Sequence, residues 1–332
     1  MLLIDATYIV HSGGLVLLSY LYNTLEARKR TCFFLLDSRC STYFDCTKDN
    51  IAVIDNKEKY RKLFYQKNKN RFDKVLCLAN VPPPIRLKSE VYTYFHNIYL
   101  LHPPIGAPLK KRLLFHFKKT YIKLKNNNTD HYLVQTDYVK QEVCREFKKE
   151  TLVVPFYEEP QLYINNRKTF ERKGYIYAAN YHENKRQSLL IKAWIELARK
   201  GIKPTLHLTM GKYPEDIELL LREAIEVGAI IINHGLIKRD EVFRLCSLCE
   251  ATVYPSVGES FGLGIVEAME CGCDVIGPDL PYIHTICKPS CTFVVDNLES
   301  LVQSVELYEK GVRQKTVSKT HNEINKLISI LS

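Results

Sequence analysis

Short apolar runs alternate with longer amphipathic stretches along almost the whole chain. In the first half, MLLID, TCFFLLD, IAVID, KVLCLAN, VYTYF and HYLVQT are rich in β-branched and aromatic residues and read as strands. Between several of them, Leu15–Ala27 and Lys57–Lys67 repeat their apolar positions with the helical period. The second half repeats the alternation. GYIYAAN, TLHLTM, AIIINH, ATVYPS, CDVIGP and TFVVD read as buried strands. Helices are expected near Gln187–Arg199, Pro214–Glu226, Arg239–Cys249 and Gly262–Cys271. Strand, helix and strand repeated in this way build parallel sheets, so the fold class is α/β.

A chain of 332 residues exceeds one small core and suits two domains. The polar, irregular stretch from Tyr157 to Gly174 is the natural join. The expected division is 1–160 and 175–315, each Rossmann-like, with a linker at 161–174 and a cleft between the domains. Residues 316–332 read as a helix with Ile324, Leu327 and Ile328 on one face, set against the first domain. Hydrophobic content of 46% and charged content of 25% are those of a soluble globular protein. The opening MLLIDATYIVHSGG has no basic flank and reads as a first strand, not a signal peptide. The 11 cysteines then fit reduced thiols in a cytoplasm. Cys246 with Cys249, and Cys271 with Cys273, are spaced like metal-binding pairs, yet they fall at a helix end and a turn, where cysteine packs as a small hydrophobe. No metal site is expected. A net charge of +10 favours an anionic partner without naming it.

The stretch GESFGLGIVEAMECG carries the densest chemistry. It joins the strand ATVYP to a helix, and in open α/β sheets ligands bind at carboxyl ends of strands, beside helix N-termini. Backbone N–H groups there suit a phosphate or a sugar hydroxyl. Gly258, Gly262 and Gly264 allow close approach to the backbone. Glu259 lies in the loop, and Glu267 follows in an apolar helix, where a carboxylate is costly unless something pairs with it. Either a structural partner or a ligand rich in hydrogen-bond donors meets that need.

The pattern from Glu259 to Glu267, with CDVIGPDLPYIHTI after it, closely resembles glycosyltransferase family 4. The resemblance implies a GT-B fold of two tandem Rossmann-like domains, a nucleoside-diphosphate sugar as donor, retention of configuration, and no metal or other cofactor. It implies that Glu267 binds the ribose hydroxyls and that Glu259 meets hydroxyls of the donor sugar. Ser260, Phe261, Gly262 and Leu263 would hold the sugar and the diphosphate. NKRQSLLIKAWIEL resembles the segment in which a lysine, here Lys185, contacts the diphosphate. The family's arginine five residues earlier is Asn180 here, so Arg186 is expected to stand in for it. Leu236 and Ile237 would flank the base. In the first domain, Gly13 and Gly14 match a glycine-rich loop facing the donor, and His96 matches an active-site histidine near the sugar. With His96, Glu259 and Lys185 form the expected catalytic set. Thr136 is the expected N-cap of the helix after HYLVQT. LANVPPP and VYTYFHNIYLL resemble a branch that builds cell-surface polysaccharides such as lipopolysaccharide, which implies a glycan or lipid-linked saccharide as acceptor.

Pro108–Asn128 holds six lysines and one arginine, with Leu113, Leu114, Phe117 and Tyr121 recurring on one side. Two readings stand. A basic amphipathic helix can lie on an anionic membrane surface, which would make the protein peripheral on the inner face of the cytoplasmic membrane. A helix with its apolar stripe in the core shows the same pattern. A second functional class, a GT-B-like nucleotide-binding partner subunit without transfer activity, is disfavoured by the intact Glu259, Glu267 and Lys185. A nicotinamide-dependent dehydrogenase lacks its G-x-G-x-x-G after the first strand. Nucleic acid is not an expected partner, because no aromatic–basic platform accompanies the charge.

Overall fold

The computed structural model describes residues 1–104, 107–161 and 172–332. The chain divides into two compact units, 1–158 with 321–332, and 159–320. Most of the stretch read as the linker lies outside the described residues.

The first unit is built on a seven-stranded sheet. Its strands are β1 (Leu2–Ala6), β2 (Cys32–Asp37), β3 (Ile51–Ile54), β4 (Lys74–Cys77), β5 (Glu90–Tyr94), β6 (His131–Val134) and β7 (Thr151–Val153). They run parallel in the order 3-2-1-4-5-6-7. The crossover helices are α1 (Ser12–Ala27), α2 (Glu58–Lys67), α3 (Leu109–Lys125) and α4 (Asp137–Phe147). Successive strand residues feed opposite faces. Ile4, Phe34 and Leu36 pack with Leu18, Leu21 and Leu25 of α1. Leu3, Phe33 and Leu35 pack with Tyr65 of α2. Thr136 caps α4 as expected, its hydroxyl accepting from the Val139 N–H at 3.2 Å.

A buried ion pair ties this sheet to its loops. Asp5 at the end of β1 accepts from Arg61 Nε at 2.8 Å and from the Tyr65 hydroxyl at 2.6 Å. The same guanidinium donates to the Val81 and Pro82 carbonyls at 2.9 Å. Burial opposes the Arg61 charge, but the Asp5 carboxylate outweighs it and holds the group protonated. A buried pair survives when its remaining donors are satisfied, as they are here.

The second unit holds a six-stranded sheet. Its strands are β8 (Tyr175–Tyr177), β9 (Leu206–Leu208), β10 (Ile231–Asn233), β11 (Ala251–Val253), β12 (Asp274–Pro278) and β14 (Cys291–Phe293). They are parallel in the order 10-9-8-11-12-14. β13 (Cys287–Lys288) and β15 (Val317–Ser318) form a small antiparallel ribbon. The helices are α5 (Gln187–Arg199), α6 (Glu215–Glu226), α7 (Arg239–Leu248), α8 (Leu263–Glu270), α9 (Pro281–Ile286) and α10 (Leu298–Glu309). Cys246, Cys249, Cys271 and Cys273 gather in one apolar cluster with Ile176 and Ala268, which is the role of small hydrophobes.

The tail departs from the expected single helix over 316–332. Thr316 is bound to the second sheet instead: its N–H donates to Asp274 Oδ1 at 2.9 Å and its hydroxyl accepts from the Val275 N–H at 2.7 Å. Helix begins only at α11 (Ile324–Ile330), whose Ile324, Leu327 and Ile328 join the α1 face of the first sheet.

Candidate active site

In both sheets the strand order reverses beside the first strand, and ligand crevices open at such switch points. In the second unit, the loops leaving β8 and β11 flank that point, and they carry Lys185 and Glu259. The Lys185 ammonium sits 2.5 Å from Glu259 Oε1 and 3.3 Å from the Tyr254 hydroxyl. It also lies over the Tyr254 ring. Burial works against its charge, but Glu259 and then Tyr254 outweigh burial and hold the lysine above its ordinary value. The site therefore keeps a fixed cation through neutral pH. Ser256 steadies the other partner, its hydroxyl donating to Glu259 Oε1 at 2.8 Å. Tyr282 in turn donates to the Ser256 carbonyl at 2.7 Å, and Tyr177 to the Lys185 carbonyl at 3.0 Å.

Gly262 ends the loop with φ +67° and is the N-cap of α8. A side chain there would be strained, and its Cβ would lie 2.9 Å from Ile265 Cδ1. Gly264 in the first turn has a milder limit: a Cβ would meet the Ala178 carbonyl at 3.3 Å. These glycines let α8 begin, at Leu263, against the end of β8, so that its N-terminal dipole lies on the loop that carries Glu259, Ser260 and Phe261. Just past its other end, the carbonyls of Cys271 and Gly272 accept from Arg172, a residue that the sequence pattern did not single out.

Glu267 is buried on α8, and the structure supplies its partner. Arg239 Nη2 lies 2.7 Å from Glu267 Oε1, its guanidinium stacked on Phe243. A structural ion pair thus meets the carboxylate before any ligand does. Sequence reasoning missed Arg239, because a basic residue opening a surface helix carries no local signal.

Other expected residues divide. Lys185 does not open α5; it closes a short 3₁₀ turn, Glu183–Lys185, just before it. Arg186 is the N-cap of α5 with φ +53° and is turned away to Asp296 in a two-pronged pair at 2.6 and 2.9 Å. It does not join Lys185 and Glu259. Leu236 and Ile237 also part company: Ile237 packs on the cysteine cluster, while Leu236 stays exposed. Leu236 lies against Gly211, where a Cβ would meet its Cγ at 2.6 Å. Asn233 ties these two loops, accepting from the Met210 N–H at 2.9 Å and donating to the Met210 carbonyl at 3.1 Å.

In the first unit, Gly13 and Gly14 form the first turn of α1. A Cβ on Gly14 would reach His96 Cε1 at 3.3 Å, so the structure brings these two expected residues together. The His96 N–H donates to Asn80 Oδ1 at 2.7 Å. Burial lowers the His96 pKa to about 4, so the imidazole is neutral at pH 7. Tyr8, Ser12 and Asn80, all with positive φ, surround this switch point. Such backbone strain gathers at functional sites.

The glycosyl transferases group 1 family model matches residues 172–308. This part of the chain is a group 1 glycosyltransferase domain. The serotype-specific mannosyltransferase WbdA of Escherichia coli is 37% identical over 71 residues, which are 20% of this chain and 9% of that protein. Among solved structures, sucrose-phosphate synthase from Thermosynechococcus elongatus superposes with a TM-score of 0.69 at 15% identity, covering 100% of this chain and 94% of that one. HepE from Anabaena, solved with UDP and glucose, gives 0.67 at 15% over 100% and 94%. WaaG, described as a glycosyltransferase involved in lipopolysaccharide biosynthesis, gives 0.66 at 14% over 92% and 89%. At these identities the likeness is one of fold, and the fold is GT-B.

Proposed function

We propose that the protein is a retaining glycosyltransferase of cell-surface polysaccharide biosynthesis. It moves a sugar from a nucleoside diphosphate to a glycan or a lipid-linked saccharide, in the cytoplasm and without a metal ion. The observation that carries this reading is the held cation at the switch point: Lys185 fixed by Glu259 and Tyr254 beside the N-terminus of α8. A leaving diphosphate needs charge stabilisation, and a preorganised ammonium with a helix N-terminus supplies it. When a diphosphate takes Lys185, Glu259 is released to accept hydrogen bonds from sugar hydroxyls. Glu267, oriented by Arg239, presents its carboxylate to the ribose diol. His96, at the switch point of the first unit, is neutral and offers a ligand there a hydrogen bond and no charge. UDP and glucose in HepE, and the mannosyltransferase activity in the name of WbdA, support a nucleotide-sugar donor.

The test is a panel of nucleotide sugars titrated into the purified protein, followed by NMR of the product's anomeric proton. Binding of one nucleoside-diphosphate sugar and an axial or equatorial bond matching the donor are expected, with turnover unchanged by a chelator. Inverted product or a strict divalent-ion requirement would overturn the mechanism. Binding without hydrolysis or transfer would point to the partner-subunit reading.

A further inference from the structure

We propose that α3 of the first unit is a docking surface for an anionic lipid bilayer. Five of its apolar side chains stay outside the core. Leu109 is 72% exposed, Leu113 49%, Leu114 52%, Phe117 67% and Leu124 75%. Surface leucines are ordinary when scattered singly, but a contiguous set marks an interaction site. At the helical turn angle, Leu109, Leu113, Phe117 and Leu124 fall within a sector of about 80°. The helix is fastened through another face. Ile122 is buried, and Phe115 packs against the cluster of Tyr132, Val134 and Phe147. Lys119 and Lys123 pair with Glu146, and the Tyr121 hydroxyl donates to Glu58. Ordering of the helix is thus complete without the stripe.

Charge selects the occupant. No acidic residue occurs between Leu109 and Lys125. At the same turn angle Lys110 and Arg112 border the stripe, while Lys118 and Lys111 lie further round towards the packed face, and among the described residues none of these four meets a carboxylate. A second copy of the chain would bring the same positive helix and be repelled. A bilayer with anionic headgroups answers both features: headgroups take the lysines, and the acyl boundary takes the leucines and Phe117. Among the described residues no helix is long and apolar enough to cross a membrane, so α3 would lie in the interface plane. The inference stands apart from the donor chemistry, since it concerns adsorption and not turnover.

The experiment is flotation of the full chain with vesicles of phosphatidylglycerol and phosphatidylethanolamine, and with phosphatidylcholine alone, at low and high salt. Co-flotation with the anionic vesicles at low salt is expected, with loss at high salt. Each cation near such a surface contributes about fivefold, so K110Q/R112Q together should lower partitioning about 25-fold. Lys119 is left in place because it pairs with Glu146. L113S/F117S should lower partitioning at least tenfold with an unchanged melting temperature. Phe117→Trp should show emission shifted to the blue on adding anionic vesicles. Four results would overturn the proposal: no flotation at low salt, L113S/F117S floating like the parent, a lowered melting temperature that assigns the stripe to the core, or a dimer that L113S/F117S dissociates.

Discussion

Replacing Lys185 by alanine removes the charge proposed to meet a diphosphate while sparing the Tyr254 ring beneath it. Binding of the nucleotide sugar and of the nucleoside diphosphate should fall about tenfold to a hundredfold, as for a charge-assisted bond of about 1.5–3 kcal/mol. The nucleoside should bind as before. Calorimetric titration of the three ligands checks this, and equal losses for all three would make Lys185 structural. Glu267 needs a different design, because its carboxylate serves Arg239 as well as any ribose. Glu267→Ala should cost about 1–2 kcal/mol of stability, less than a fully buried pair, since Arg239 remains partly exposed. Glu267→Gln should restore most of that stability yet still bind nucleoside more weakly. If alanine and glutamine variants melt alike, the ion pair is not holding α7 to α8. His96 gives a pH signature. The folded protein keeps it neutral down to about 4, whereas an unfolded histidine takes a proton near 6.5. Between these values the unfolded chain binds more protons, so stability rises with pH there. The contribution is complete above about 6.5 and is lost as pH falls towards 4. Melting temperatures of His96→Asn across that range should slope less than those of the parent, and parallel slopes would show that the histidine is not buried neutral.

At the scale of elements, the start of α8 is the most constrained joint. Gly264→Ala would gain a little helix propensity, up to about 1 kcal/mol and less in a first turn. Against this, a new Cβ at 3.3 Å from the Ala178 carbonyl presses on backbone that cannot turn aside. Overpacking of this kind costs about 1–3 kcal/mol and should win. Urea denaturation should show a lower midpoint, with weaker diphosphate binding because the helix end moves; a higher midpoint would mean that the joint is slack. This joint was legible in the sequence because its glycines and glutamates are contiguous and each is needed where it stands. The strands were legible for a similar reason, being long apolar runs bounded by polar turns. β7 was not read, although its TLVV run is as apolar as those that were; it is an edge strand of three residues. The tail was misread because Thr316–Ser318 prefers the ribbon and the Asp274 contacts over helix, a tertiary choice that local pattern does not contain. Arg239 and Arg172 were invisible for the same reason, since their partners lie far off in the chain.

Over the whole molecule, the first unit is discontinuous and the second is not. Ile324, Leu327, Ile328 and Leu331 all enter the core beside Leu18, Leu21 and Leu25. Each such side chain contributes roughly 1.5–3 kcal/mol on burial. Their sum rivals the entire stability of a domain, about 5–15 kcal/mol. Deleting residues 321–332 should therefore unfold the first unit and leave the second with its own thermal transition. Calorimetry would show one surviving peak, and two unshifted peaks would mean that α11 is dispensable. The same topology sets an order of events during synthesis. Residues 321–332 are made only after all of residues 159–320, so the first unit waits for its closing helix until the whole of the second has been made. Meanwhile the α1 face that α11 will cover stands open to solvent and to chaperones, as incomplete domains do. A nascent chain ending at residue 320 and tethered through an unstructured linker long enough to clear the exit tunnel should yield a protease-resistant fragment from its second unit and none from its first.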